Sequence, residues 1–117
     1  MVSAILGGSL FVLRIVGYQP FVVLSGSMEP DIPVGSLIFI DTTDAGRGDL
    51  QVGDVICYRL QDTYVTHRIS EIDSLGNYIT KGDANDTIDF QPVSFEQIIG
   101  KAWFHIPFLG RILSLVT

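Results

Sequence analysis

The sequence predicts a mostly β fold, a small coiled sheet or barrel with apolar ends that we expect to be helical. Six short segments are rich in β-branched and aromatic residues and are bounded by Gly, Asp, Asn or Pro. They are residues 21–24, 36–41, 54–60, 64–73, 78–81 and 99–106. Residues 61–63 and 74–77 are typical of hairpin turns. The 117 residues leave room for one domain, in which short strands at this spacing form a barrel or coiled sheet.

The first segment, residues 1–17, is expected to be a membrane anchor or its outer end. From Val2 to Val16 it is nearly all apolar, interrupted by two glycines and Arg14. As a helix it would extend about 24 Å at 1.5 Å per residue, less than the roughly 30 Å of a bilayer core. A cleaved signal peptide is excluded, because the segment lacks a basic start and an Ala-x-Ala ending. A buried helix and a helix lying at the membrane interface remain as alternatives.

The rest of the chain divides into a β domain and a short tail. We expect residues 18–106 to form the domain, since no repeat or linker divides them. Within it, residues 42–52 contain two glycines and several polar residues, and we predict a polar, mobile loop. Residues 107–117 are a second apolar end, expected to lie close to a membrane.

The charge pattern narrows the class of partner. The net charge is −6, and all thirteen acidic residues lie between Glu29 and Glu96. The acid-free ends suit a lipid surface, and nucleic acid is excluded as a partner. Cys57 is the only cysteine, so an intramolecular disulfide is impossible and a buried, inert thiol is expected.

Two hydroxyls lie where a predicted strand meets a turn. Ser25 and Ser27 flank Gly26 in the SGSMEP sequence of residues 25–30, directly after the apolar run of residues 21–24. A serine in this position can be presented to a polypeptide, provided that a base lies nearby in space. The alternative is an ordinary turn, in which the Ser25 hydroxyl bonds to the backbone.

His67 is the candidate base. Alternation along residues 64–69 places it on one strand face with Val65 and Ile69. Because a lone histidine on an apolar face is more often a core residue, the pattern alone favours packing. His105 lies in an aromatic segment and is expected to pack. Two histidines so far apart, with one cysteine, provide no metal-ligand spacing, and we predict no metal and no cofactor.

Three carboxylates lie in the turn-rich sequence KGDANDTID of residues 81–89. They are Asp83, Asp86 and Asp89. A serine, a histidine and an aspartate can form a catalytic triad, although Asp and Asn also build tight turns without any further role.

Taken together, these segments resemble the type I signal peptidases, specifically the histidine-containing branch of the endoplasmic reticulum, archaea and some Gram-positive bacteria. The resemblance rests on SGSM after an apolar run, GDV at residues 53–55, HR at 67–68 and KGD at 81–83. It covers roughly residues 20–110. It implies the coiled β fold of that family and a serine endopeptidase with a Ser-His-Asp mechanism.

The resemblance assigns roles to single residues. Ser27 matches the nucleophile and His67 the general base, while the Ser25 hydroxyl and the Ser27 N–H would bind the oxyanion. Asp89 matches the acid that holds the histidine. Asp83 stands in the Gly-Asp turn of the family, and we keep it as a second catalytic candidate.

The resemblance also implies a substrate and a location. A precursor carrying a signal peptide would lie as an added strand against Phe21, Val22, Val23 and Leu24, with Met28 near shallow pockets for small residues of the Ala-x-Ala type. The lipid bilayer and accessory membrane subunits are the other expected partners. The expected location is the cell membrane or the endoplasmic reticulum membrane, with the catalytic domain on the extracytoplasmic side.

Two other functions stay open. A self-cleaving repressor-type serine protease on a related fold would need a lysine base, a cleavage site within its own chain and usually a DNA-binding partner domain, and none of these is evident here. Activity only above about pH 9 would implicate a lysine such as Lys81. A catalytically silent, membrane-docked β module would need none of the assigned roles.

Overall fold

One antiparallel sheet of six strands dominates the fold. The structure is a computed structural model, and it describes residues 17–107. Its strands are β1 (Tyr18–Val22), β2 (Leu37–Asp41), β3 (Val55–Leu60), β4 (Thr63–Ile72), β5 (Tyr78–Lys81) and β6 (Ile98–Ile106), joined by the short helix α1 (Asp44–Gly48) and a 3₁₀ turn (Phe95–Gln97). The strand order is β1-β2-β6-β3-β4-β5. The predicted mostly β fold is confirmed.

Bulges bend this sheet. The register shifts in three of its strand pairs, β2 with β6, β3 with β6, and β4 with β5. An extra residue at a bulge bends the strand and increases its twist. Since β1 and β5 are the two edges, the sheet is open and coiled and does not close into a barrel.

Two apolar clusters pack on opposite sides of β3. Ile56 and Tyr58 belong to the first cluster, whereas Cys57 between them belongs to the second, as the period of two in a strand requires. The second cluster also contains Met28, which directly follows Ser27. The loop that carries Ser27 is therefore attached to the core.

Cys57 behaves as the expected inert thiol. Its side chain is 1% exposed, and burial raises the pKa of the thiol to about 11. The thiol therefore stays protonated at neutral pH, and the reactive thiolate does not form.

The first strand begins earlier than predicted. It starts at Tyr18 and includes Pro20, which lies opposite Phe39 of β2. A proline lacks the N–H donor, but an edge strand tolerates it because that donor can face away from the neighbouring strand. Beyond the end of β1, the N–H of Val23 still donates to the carbonyl of Ser36 at 2.9 Å.

The prediction that residues 42–52 form only a loop is wrong, whereas their mobility stays a prediction. The segment contains α1, whose amino end is capped by the Thr43 hydroxyl accepting from the N–H of Gly46 at 3.3 Å. Asp41 in turn accepts a hydrogen bond from the N–H of Thr43 at 2.9 Å. Leu50 then enters the first apolar cluster. Two glycines in five residues lower the helix propensity of this segment, so the sequence does not predict α1. The Thr43 cap and the buried Leu50 stabilise it.

The predicted anchor of residues 1–17, apart from Gly17, and most of the predicted tail, residues 108–117, lie outside the described residues. Between residues 17 and 107, no helix is long and apolar enough to cross a bilayer.

Candidate active site

Ser27 lies in the turn between β1 and β2, and main-chain contacts hold this turn. The Ser27 carbonyl accepts a hydrogen bond from the N–H of Ala84 at 2.8 Å. The next side chain, Met28, is 2% exposed, and its sulfur accepts from the N–H of Asp83 at 3.4 Å. The serine is thus fixed both by the core and by the segment that follows β5.

His67 projects from the middle of β4 toward Ser27. Its Nε2 lies 3.1 Å from the Ser27 hydroxyl oxygen. Its Nδ1 lies 2.5 Å from Oδ2 of Asp89, which belongs to the segment after β5. An ionised Asp89 can only accept a hydrogen bond, and in that state Nδ1 of His67 carries the proton and Nε2 is free to accept from Ser27. The three residues form one hydrogen-bond chain.

Ser25 extends this chain at its outer end. Its hydroxyl oxygen lies 3.1 Å from that of Ser27. Because the Ser27 hydroxyl faces His67, the Ser25 hydroxyl is the donor in this pair. The Ser25 side chain therefore lies beside the Ser27 hydroxyl, and its assigned part in oxyanion binding stays a prediction.

Asp83 has a different partner from Asp89. Its two carboxylate oxygens accept from Nε and Nη2 of Arg68, at 3.0 Å and 2.8 Å. Arg68 also donates to Asp31 at 2.8 Å and to the carbonyl of Gly53 at 2.8 Å. The Arg68 guanidinium thereby joins three loops around the site. Asp83 makes no hydrogen bond to His67, and it braces the loop through Arg68.

The ion pair of Asp83 predicts an acid-sensitive part of the stability. The hydrogen bonds from Arg68 lower the pKa of Asp83 below its ordinary value. A lowered pKa contributes stability that is fully present above the unfolded value of about 3.9 and is lost as the pH falls through the folded value. We expect Asp83→Asn to lower the free energy of unfolding by about 1 to 2 kcal/mol at pH 7, and by less near pH 3. Urea denaturation at both pH values measures this difference.

Asp86→Asn is the matched control, because Asp86 is an exposed carboxylate in the same loop. It should leave the free energy of unfolding within about 0.5 kcal/mol of the unsubstituted chain. If Asp83→Asn cost the same at pH 3 as at pH 7, the ionised pair with Arg68 would not be the source of the effect.

Gly82 brings the segment after β5 close to Ser27 and His67. A Cβ atom at this position would lie 2.7 Å from the carbonyl oxygen of Ser27 and 3.1 Å from Nε2 of His67. It would also lie 2.8 Å from the amide nitrogen of Asn85. Only a residue without a side chain lets these three groups approach one another.

The hydrogen-bond chain opens into a groove of about 580 Å³. One wall is the segment predicted to bind substrate, Phe21, Val22, Val23 and Leu24, and the other wall is residues 63–67 of β4. Met28 and Cys57 also line the groove. Although β1 and β4 are not neighbours in the sheet, the rings of Phe21 and Tyr64 meet across the groove with centroids 5.4 Å apart.

Several residues of this site had no assigned role in the sequence. Thr80, Tyr58 and Arg68 contact the candidate aspartates, and Asn85 lines the groove beside Ser27. Thr80 and Tyr58 lie inside predicted strands, where threonine and tyrosine are common residues. No local sequence signal indicates a role for either of them, whereas Arg68 belongs to the HR motif and Asn85 follows the KGD motif.

Lys81 is not placed as a base for Ser27. Its amino group donates to the carbonyl of Gly82 at 3.2 Å, whereas His67 occupies the position next to the serine hydroxyl. This geometry does not favour a repressor-type lysine mechanism. In the part of the chain that the structure describes, no group of His, Cys, Asp and Glu side chains could hold a metal ion.

Comparison with known proteins adds a family. The profile described as signal peptidase, peptidase S26, matches residues 1–81. Signal peptidase I W of Bacillus subtilis (strain 168) is 48% identical over 88 residues, which cover 70% of this chain and 45% of that protein. The catalytic subunit of the signal peptidase complex of Ogataea parapolymorpha is 29% identical over 141 residues, covering 100% and 78%. Its counterpart in Neurospora crassa is 32% identical over 108 residues, covering 82% and 62%. The chain thus spans less than half of the Bacillus relative.

Proposed function

The chain belongs to the signal peptidase family S26, and from this premise we propose that it is a membrane-associated serine endopeptidase that removes amino-terminal signal peptides from secreted precursors. The hydrogen-bond chain from Ser27 through His67 to Asp89, opening into a groove, is the observation that carries the proposal. The names of the relatives, signal peptidase I and catalytic subunits of the signal peptidase complex, supply the substrate class.

The proposed reaction begins with proton transfer from Ser27 to His67. The serine oxygen attacks the scissile carbonyl while Nε2 of His67 takes its proton, and Asp89 stabilises the imidazolium that forms. The tetrahedral oxyanion receives hydrogen bonds from the N–H of Ser27 and the hydroxyl of Ser25. His67 then gives its proton to the leaving amine, and water hydrolyses the acyl-enzyme by the same steps in reverse order.

The proposed substrate lies as an extended strand in the groove. Val23 exchanges main-chain hydrogen bonds with residues 35 and 36, so the main chain of its neighbours Val22 and Leu24 points away from β2. Val22 is 42% exposed and Leu24 is 85% exposed. Because β1 is an edge of the sheet in residues 17–107, an added peptide strand can pair with these groups, and its alternate side chains would then enter the groove. The resemblance to signal peptidases implies shallow pockets near Met28 that take small side chains.

We also propose that the protein acts at a bilayer, with its catalytic domain on the extracytoplasmic side and with accessory membrane subunits as partners. Trp103 is 59% exposed, and its ring centroid lies 4.6 Å from those of Tyr18 and Phe104. Exposed aromatic clusters of this kind favour membrane interfaces.

The membrane proposal predicts co-sedimentation of the full chain with liposomes. Deletion of the apolar residues 1–16 should weaken the binding, because apolar area buried in lipid drives it. Equal recovery of the full chain in the supernatant with and without lipid would contradict the proposal.

The experiment that tests the proposed function is cleavage of a precursor peptide whose signal segment ends in Ala-x-Ala. We expect one cut after the second alanine, identified by mass spectrometry of the two products. A matched peptide with a bulky residue in place of that alanine should resist cleavage, because the resemblance to signal peptidases implies a preference for small side chains there. Failure of the purified protein to cut the alanine peptide in detergent or lipid would favour the catalytically silent module.

A further inference from the structure

Thr80 holds both the side chain and the main chain of Asp89. Its hydroxyl donates to Oδ2 of Asp89 at 2.6 Å, and its carbonyl accepts from the N–H of Asp89 at 2.7 Å. Thr80 is 0% exposed and lies in the middle of β5. The segment that carries Asp89 is thus fixed to the edge of the sheet at this residue.

Tyr58 supports the same oxygen beside Thr80. Its hydroxyl donates to Oδ2 of Asp89 at 3.3 Å and lies 3.2 Å from the hydroxyl oxygen of Thr80. Tyr58 is 3% exposed in the first apolar cluster, and burial is the main cause that raises its pKa to about 12. The Tyr58 hydroxyl therefore keeps its proton at neutral pH and remains a donor.

We propose that Thr80 and Tyr58 are positioning residues, which hold Oδ2 of Asp89 in place to accept the Nδ1 proton of His67. The inference rests on the proposed function. All three donors converge on one carboxylate oxygen, which is the oxygen that faces His67. A carboxylate in a loop would otherwise rotate about its side-chain torsions, and the imidazole would then lose the contact that selects its tautomer. Thr80 and Tyr58 prevent this rotation because they lie on strands packed into the core.

Thr80→Val is the main test, because valine keeps the shape of threonine and removes the hydroxyl. We expect kcat for precursor cleavage to fall about tenfold with KM unchanged. The reason is the loss of one hydrogen bond to a charged carboxylate, whose strength corresponds to about that factor in rate. Thr80→Ser is the matched control, because serine keeps the hydroxyl and loses the methyl group. It should cleave within about twofold of the unsubstituted protein. Equal losses in the valine and serine variants would overturn the inference, since packing and not the hydroxyl would then be responsible.

A double variant ties the effect to Asp89. In an Asp89→Ala background there is no carboxylate to hold, so adding Thr80→Val should change the remaining single-turnover rate by less than about twofold. A further tenfold fall in that background would overturn the inference. Tyr58→Phe is the second variant, which serves if Thr80→Val does not fold. It should lower kcat by a smaller factor, because its donor is 3.3 Å from Oδ2 and Thr80 remains.

Proton NMR of the His67 Nδ1–H separates this inference from the proposed function, because it needs no substrate. The downfield resonance should shift or exchange faster in Thr80→Val and stay in place in Thr80→Ser. An unchanged resonance in the valine variant would overturn the inference even in an active enzyme. If the unsubstituted protein cleaves no precursor but the resonance responds as expected, the proposed function falls and the positioning of Asp89 stands.

Discussion

Replacing Ser27 with alanine is expected to abolish precursor cleavage without unfolding the protein. Within residues 17–107, the side chain of Ser27 makes hydrogen bonds to Ser25 and His67 alone, and its main chain is held by Ala84. Removing the hydroxyl therefore removes the attacking atom and leaves the turn in place. The rate should fall by more than about 10⁴-fold, while the free energy of unfolding changes by about 0.5 kcal/mol or less. Peptide cleavage and urea denaturation measure the two quantities.

Ser25→Ala is the matched control for this variant, because it removes the neighbouring hydroxyl from the same turn. If the Ser25 hydroxyl binds the oxyanion, the rate should fall by about 10² to 10³, which is less than the loss for Ser27. Cleavage at the unsubstituted rate by purified Ser27→Ala would refute the nucleophile assignment. A larger loss for Ser25 than for Ser27 would exchange the roles of the two serines.

Asp89→Asn is expected to have the second largest effect. The asparagine amide can donate to Nδ1 of His67, which would place the ring proton on Nε2 and block acceptance of the Ser27 proton. The imidazolium would also lose its nearby negative charge. We expect the rate to fall by about 10³ to 10⁴ with KM nearly unchanged, and steady-state cleavage of the same peptide measures this.

Asp83→Asn is the contrasting variant. Since Asp83 contacts Arg68 and not His67, Asp83→Asn should lower the free energy of unfolding. It should also lower the cleavage rate, but only moderately. Comparing the melting temperatures and rates of the two variants distinguishes the roles. If Asp89→Asn cleaved normally while a folded Asp83→Asn were inactive, Asp83 and not Asp89 would be the third member of the triad.

Much of the fold could be predicted because strand signals are local. The alternation and the turn residues place β3 to β6 within about one residue of where the structure has them, and the open sheet agrees with the mostly β prediction. The helix α1 was not predicted, because its two glycines lower helix propensity and outweigh the local signal of the Thr43 cap, while the burial of Leu50 is a tertiary contact. The bulges that bend the sheet leave no local mark either.

The candidate site was predictable only where the resemblance supplied positions. Pattern alone favoured a core role for His67, and it offered no choice between Asp83 and Asp89. The structure brings Asp89 to His67 and Asp83 to Arg68, a distinction that depends on how the segment after β5 folds over the sheet. Thr80 and Tyr58 could not be identified, because the chemistry of a strand hydroxyl depends on its partner across space.

The bare α-carbon of Gly82 has a consequence for how this sequence can diverge. The Ser27 carbonyl oxygen and Nε2 of His67 both lie close to this position. The carbonyl oxygen is the nearer of the two, and as a main-chain atom it cannot move aside as a flexible side chain can. Compensating changes elsewhere in the chain cannot create the missing space without moving the serine itself. Position 82 therefore admits only glycine for as long as Ser27 and His67 keep their present positions.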